Sequence, residues 1–251
     1  MRKCLGILVV VAIVASPAWA TVSFKFPVSG PNSRTYTSNL LVKMNGYVAP
    51  NWQGGAFEAQ VTPGTITSNG QTATLNGWIS GLVGDKDPGI GQKFNTFCIE
   101  SQTANLGWTK YVATIETWAA DGDQDLGVNP NDGIDPLSGA TAWLYRQYLA
   151  GNLSGYTNQA ISEALWYLED EVKGVNSTSN NLVENAQANA YGSDLGGVRV
   201  LNLWTLTWNT MTQQWEAVDI QSQLVAVPAP GAALLAVLGL GLVGWIKKRL
   251  A

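Results

Sequence analysis

The chain has 251 residues, of which 13% are charged, with 14 basic against 18 acidic side chains. It contains no histidine. That removes the usual general base, Ser-His and Cys-His dyads, and His-ligated zinc or copper, while carboxylate-only chemistry survives.

The N-terminus reads as a secretory signal. Arg2 and Lys3 form a charged start, Leu5 to Val14 is apolar, and Ala18-Trp19-Ala20 fits a small-x-small cleavage site. Residues 1–20 would then be removed, and the mature chain would begin at Thr21. Cys4 precedes the apolar stretch, so this is not a lipoprotein signal. A retained membrane helix is the alternative, but the apolar stretch is short for a span.

Residues 21 to about 100 read as strands. Val22, Phe24 and Phe26 alternate with polar positions. Similar runs cover Leu40–Met44, Ala56–Val61, Ile66–Leu75, Phe94–Ile99 and Tyr111–Trp118. Turn formers separate them, including Ser29-Gly30-Pro31-Asn32 and Asn69-Gly70.

An acidic loop follows. Asp121, Asp123 and Asp125 occupy positions 1, 3 and 5 of a twelve-residue segment, with Asn129 and Asp132 at positions 9 and 12. That is oxygen-ligand spacing for Ca²⁺. Leu126 stands where an EF-hand loop has Gly, and Asp132 is shorter than the usual Glu. The loop is a candidate calcium site, and a solvated connection is the alternative reading.

The middle section turns helical. Asp135-Pro136 predicts a helix start, with Asp as N-cap and Pro at the first position, and the helix running to about Leu149. A second helix is predicted from Thr157 or Asn158 to before Gly174, with Ile161, Leu165, Leu168 and Val172 as its apolar stripe and Glu163, Glu169, Asp170 and Glu171 mostly off it. A third is predicted from about Asn181 to Tyr191, ending at Gly192. A closing hairpin pairs Val198–Trp208 with Trp215–Val227 around Asn209–Gln213. The expected fold class is α+β. It is mainly β, sandwich- or barrel-like, with about three helices inserted between N- and C-terminal β portions of a single exported domain spanning 21–226.

The C-terminus has three parts. Val227-Pro228-Ala229-Pro230 is a short Pro box, 231–246 is an apolar helix, and Lys247-Lys248-Arg249 is a basic stub. Sixteen apolar residues span about 24 Å, somewhat under a hydrocarbon core of about 30 Å, and lysines at the end can snorkel. The stub would stay cytoplasmic, which places the body beyond the inner membrane. Removing both ends takes five basic residues and no acidic one. The body keeps nine basic against 18 acidic side chains, a net charge of −9. Such a body is a poor partner for nucleic acid and compatible with cations and neutral glycans.

This tail resembles the PEP-CTERM sorting signals of bacterial surface proteins (residues 227–251), with Ala229 where the family name has Glu. The resemblance implies an exosortase-type membrane protease as partner, with Val227, Pro228, Ala229 and Pro230 as its recognition box. It also implies transient anchoring by the transmembrane helix, then a cell-surface or extracellular-matrix address.

Two further motifs carry a second resemblance. Phe97-Cys98-Ile99 ends a strand, and Ala160-Ile161-Ser162-Glu163-Ala164-Leu165-Trp166 lies on a helix. With Trp143-Leu144-Tyr145 between them and Gln221-Ser222-Gln223-Leu224-Val225 before the Pro box, residues of about 55–227 resemble the thioester domains of bacterial surface adhesins. In that family a Cys and a Gln condense into an internal thioester that captures an amine. Cys98 matches the Cys, but Ser162 stands at the expected Gln. Gln159, three residues earlier on a similar helix face, is the alternative partner. Cys98 as a small buried hydrophobe, or as a thiol for an intermolecular disulfide, are the competing readings.

Of the 11 tryptophans, nine lie in the body. Trp204, Trp208 and Trp215 on the closing hairpin are candidates for a sugar-stacking face, although most aromatics of this size belong in cores. The leading expectation is an exported, tail-sorted, non-enzymatic surface or matrix protein associated with exopolysaccharide. The alternatives are a covalent thioester adhesin using Cys98 with Gln159, and a carboxylate glycoside hydrolase drawing on Glu163, Glu169 and Asp170.

Overall fold

The computed structural model describes residues 21–26, 34–48, 55–87, 91–101, 107, 109–120 and 134–228. The signal segment, the acidic-loop residues Asp121, Asp123, Asp125, Asn129 and Asp132, and everything from Ala229 onward lie outside that set. Among the described residues, no helix is long and apolar enough to cross a membrane.

The fold is α+β, mainly β, with three helices. In chain order the strands are β1 (Val22–Phe26), β2 (Arg34–Ser38), β3 (Leu40–Tyr47), β4 (Phe57–Val61), β5 (Gly64–Ser68), β6 (Gln71–Leu75), β7 (Lys93–Thr96), β8 (Lys110–Glu116), β9 (Trp118–Ala120) and β10 (Ile134–Pro136). Helices α1 (Gly139–Leu149), α2 (Asn158–Leu168) and α3 (Ser177–Asn189) follow, and then the long hairpin β11 (Val198–Asn209) and β12 (Gln214–Ala226).

Eight strands form one sheet in the order β2-β1-β12-β11-β8-β3-β4-β7. Its pairs are antiparallel except β1 with β12, where Phe24 lies beside Trp215. The sheet curls back on itself. Just past β7, Leu224 N donates to Phe97 O (2.9 Å) and Ile99 N donates to Ser222 O (3.1 Å). Residues 97–99 therefore pair with the inner end of β12, giving six strands a barrel-like closure.

Inside the curl lie Val42, Met44, Ala59, Phe94, Leu201, Leu203 and Val225, with Cys98 among them. The three helices cover the outer face through Phe97, Ile99, Val200 and Leu224. A separate aromatic cluster, centred on the fully buried Trp204, fills the space under β1 and β2.

Several local expectations need correction. Ile66–Leu75 is a hairpin folded at the expected Asn69-Gly70 turn, not a single strand. Asn69 (φ 46°) and Gly70 (φ 78°) both take the left-handed conformation of a two-residue turn. Asp135-Pro136 does not start α1 but pairs with β9. The cap is Ser138, whose hydroxyl accepts from Thr141 N at 3.0 Å. Helix α2 stops at Leu168 because Asp170 turns left-handed (φ 58°) and Glu171 N closes back on Trp166 O at 2.8 Å. Helix α3 starts earlier than expected, capped by Asn176, whose Oδ1 accepts from Thr178 N and Ser179 N.

Candidate functional site

The site is built by a single extra residue. In the outer half of β12, Trp215 and Ala217 face the aromatic cluster. Between the pairs Leu203–Gln221 and Trp204–Asp219 the register shifts, leaving Ile220 as a bulge in β12. A one-residue shift exchanges the two faces of a strand, and bulges re-aim side chains in this way. Beyond the bulge Leu224 packs outward with the helices, while Gln221 and Gln223 fall on the face that carries Val225 into the curl. Without it Gln221 would share the face of Trp215 and Ala217.

Cys98 meets these glutamines across the seam. It sits directly opposite Gln223, and the flanking bonds at Phe97 and Ile99 make theirs a non-hydrogen-bonded pair, the closer kind. Gln221 Nε2 lies 2.5 Å from Cys98 Sγ. The thiol in turn donates to Glu100 O at 2.6 Å. Gln223 Nε2 donates to Gln221 Oε1 at 3.0 Å.

All three side chains are buried: Cys98 is 4% exposed, Gln221 8% and Gln223 0%. Burial pushes the Cys98 thiol well above its ordinary range, and the nearby Glu100 carboxylate pushes it further. The sulfur is held as a neutral thiol against a carboxamide, in surroundings that exclude water.

Helix α2 fixes the outer side of this seam. Thr157 caps it by accepting from Ala160 N at 3.1 Å, and Ile161, Ala164 and Leu165 bury its apolar face. Trp166 Nε1 donates to Cys98 O at 3.1 Å, so the Trp of the helix motif does meet the Cys strand. Glu171 comes from the reversal after α2, and its carboxylate accepts from Ser101 N at 3.0 Å. Glu100 accepts from Ser222 N at 3.1 Å. Two carboxylates thus clamp the chain just after Cys98. Neither Glu171 nor Glu169 is the solvated surface acid the helical pattern suggested; each is 5% exposed.

Other expected site residues are placed elsewhere. Gln159 does not approach Cys98: its amide donates to Glu163 Oε1 at 3.1 Å on its own helix. Ser162 is buried beneath α2. Glu163 accepts from Ser179 Oγ (2.9 Å) and from the Asn176 amide, tying α2 to α3. Glu169 accepts from Ser138 N (3.2 Å) at the start of α1, and burial raises its carboxyl to about 8. Asp170 is an exposed turn residue. These acids are joining elements of the helical layer.

Among the described residues no group of three or more Cys, Asp or Glu could hold a metal. Trp204 is core, not platform, and donates to Thr114 Oγ1 at 3.0 Å. Trp208 and Trp215 meet edge-on at 5.5 Å and line a cavity of about 330 Å³ with Phe24, Lys25 and Gln213. Val227 leaves β12 with its N–H on Gly197 O (2.9 Å), and Pro228 packs against Gly81.

Sequence reasoning identified the Cys and the Gln221-to-Val225 strand but sought the carboxamide on the helix. The missed signal was the Gln-x-Gln spacing, which puts both amides on one face of a strand. No protein family model matches the chain, and neither does any curated protein or solved structure.

Proposed function

We propose that this protein is an exported surface protein whose body forms an internal thioester between Cys98 and Gln221, and that it acts as a covalent adhesin. The observation that carries this reading is the 2.5 Å contact between Cys98 Sγ and the Gln221 amide in a dry seam. The sulfur attacks Gln221 Cδ, an S–C bond forms, and the carbonyl pair moves onto Oε1. Collapse restores the carbonyl and breaks the C–N bond. The thiol proton, directed at Glu100 O before attack, passes to the departing nitrogen as the C–N bond breaks and leaves with it as ammonia, so the raised thiol pKa is no obstacle. The product can then acylate a primary amine on a partner surface, which returns Cys98 as a free thiol and leaves Gln221 in a new amide.

Gln221 replaces Gln159 as the partner in this reading. Export rests on the sequence of the two ends: the signal segment 1–20, and the Pro box with its apolar helix and basic stub. The tail would be handled by an exosortase-type protease in the inner membrane, and the mature body would work at the cell surface or in an exopolysaccharide matrix.

Intact-mass measurement of the purified body is the test. The expected mass is one ammonia below that of the unmodified chain, with methylamine adding in its place at Gln221. A body of unreduced mass whose Cys98 alkylates fully on unfolding would overturn the thioester. An epitope placed after Ala20 that stays shielded from protease in intact spheroplasts would overturn export.

A further inference from the structure

We infer that Gln223 is the oxyanion donor of this reaction: its buried amide stabilises the negative charge that develops on Gln221 Oε1, both when the thioester forms and when an amine opens it. The inference rests on the Cys98–Gln221 thioester reading and adds a residue that the reading does not require.

The geometry is specific. Gln223 Nε2 donates to Gln221 Oε1 at 3.0 Å in the ground state, so a donor already stands at the oxygen that takes up charge when the sulfur adds. Gln223 is fully buried, so water does not compete for the acceptor, and a fixed amide dipole acts strongly in such surroundings. Its position is held from both ends. Directly across the seam stands Cys98, and the strand bonds on either side of the pair lock the backbone. On the far side of the amide lies Thr96, whose hydroxyl is 3.5 Å from Gln223 Oε1 and also binds Leu224 O at 2.5 Å. The Gln223 carbonyl thus faces Thr96 and its NH₂ faces Gln221 Oε1.

The Gln223 amide is matched by a single close partner, Gln221 Oε1. A fully buried amide is costly unless its groups are matched, and an apolar residue would continue the lining formed by Leu201, Leu203 and Val225. A donor aimed at an acyl oxygen accounts for the polar choice.

The chemistry needs no further reagent. In the forward step the S–C bond forms as the carbonyl electrons move to Oε1, where the Gln223 N–H meets them. The C–N bond then breaks and ammonia carries off the thiol proton. In the reverse sense an amine nitrogen attacks the same carbon, the oxyanion forms at the same place, and the thiolate leaves and takes the amine proton.

The test uses the full exported body with methylamine as the probe. In Gln223→Leu, ammonia loss after refolding and methylamine uptake should both slow by about 10²-fold. The infrared carbonyl stretch of any thioester formed should move to higher wavenumber, because its hydrogen bond is gone. In Gln223→Glu the donor exists only when the carboxyl is protonated. Its aminolysis rate relative to wild type, measured with hydroxylamine, should therefore rise toward acid pH, a dependence that a spacer role would not produce. Should Gln223→Leu fail to fold, the Gln223→Glu profile alone decides. Wild-type protein that forms the thioester while both variants keep its rates and carbonyl stretch would overturn the inference and leave the thioester standing. Wild-type protein that loses no ammonia would overturn the thioester itself, and the oxyanion role with it.

Discussion

At the outer end of the β11–β12 hairpin, Trp208 and Trp215 meet edge-on, and next to them Trp204 is wrapped by Phe24, Phe26 and Tyr36 at ring distances of 5.0–5.7 Å. At its inner end the same two strands are buried on both faces, yet β12 contributes Gln221, Ser222 and Gln223 there. Asn202 stands between the halves. Its Oδ1 accepts from Ala120 N (3.0 Å) and Ser222 Oγ (2.7 Å), and its amide donates to Trp118 O (3.2 Å). The outer end is what burial energetics alone would select: large rings and little polarity. The inner end carries amides where apolar side chains would pack more cheaply, and that excess is intelligible as chemistry.

The largest effect expected at the inner end is on stability. A Cys98–Gln221 bond closes a loop with a sequence separation of 123 residues. By analogy with disulfides, such a cross-link is worth about 4–5 kcal/mol through the unfolded state. Methylamine should therefore lower the thermal midpoint of the wild-type body sharply by calorimetry, and leave Gln221→Ala unmoved. Equal shifts in both proteins would show that no Cys98–Gln221 cross-link stabilises the inner end.

At the outer end, Trp204→Ala should cost about 3–5 kcal/mol in urea unfolding, as for other buried aromatic truncations. Any folded fraction should still lose ammonia, because Cys98 belongs to the core inside the curl and not to the aromatic cluster. Loss of the mass signature in folded Trp204→Ala would show that the two ends are coupled.

Between the ends, Asn202→Leu strands the Ala120 N–H and the Ser222 hydroxyl. A loss of about 1–3 kcal/mol per unmatched buried group is expected, read by denaturant midpoint.

Away from the hairpin, Glu169 supplies a pH signature. Its carboxyl titrates near 8 in the fold and near 4.3 when unfolded, so the fold favours the protonated form. That stabilisation is complete below the unfolded value and is lost as pH rises toward 8. Glu169→Gln, which cannot ionise, should gain stability relative to wild type across that window and converge with it at acid pH. A constant difference at every pH would sink the assignment. The smallest effect is at the α2 cap, where Thr157→Ala should cost about 1 kcal/mol by urea midpoint.

Much of the architecture was legible in the chain. Period-2 alternation marked β1, β3 and β4, the β-branched and aromatic run marked the closing hairpin, and Thr157 marked the start of α2, because these signals are local. Helix starts were less legible: Asp135-Pro136 has the chemistry of a cap, but β9 offered its backbone a strand partner first. The acids after α2 looked solvated because a helical wheel does not foresee the left-handed turn at Asp170 that folds Glu171 back onto Ser101.

By itself the sequence determined the α+β class, the placing of three helices between two β portions, the absence of histidine chemistry and the singling out of Cys98, but not the strand β2 or the pairing of β10. Which glutamine faces that thiol was decided only in three dimensions. The bulge at Ile220 reverses the phase of β12, and the curl of the sheet brings residues 97–99 against its inner end. The bulge is a register shift inside the β11–β12 hairpin, whereas the curl pairs segments more than a hundred residues apart, and no local pattern of side chains encodes the phase of a strand relative to its partner.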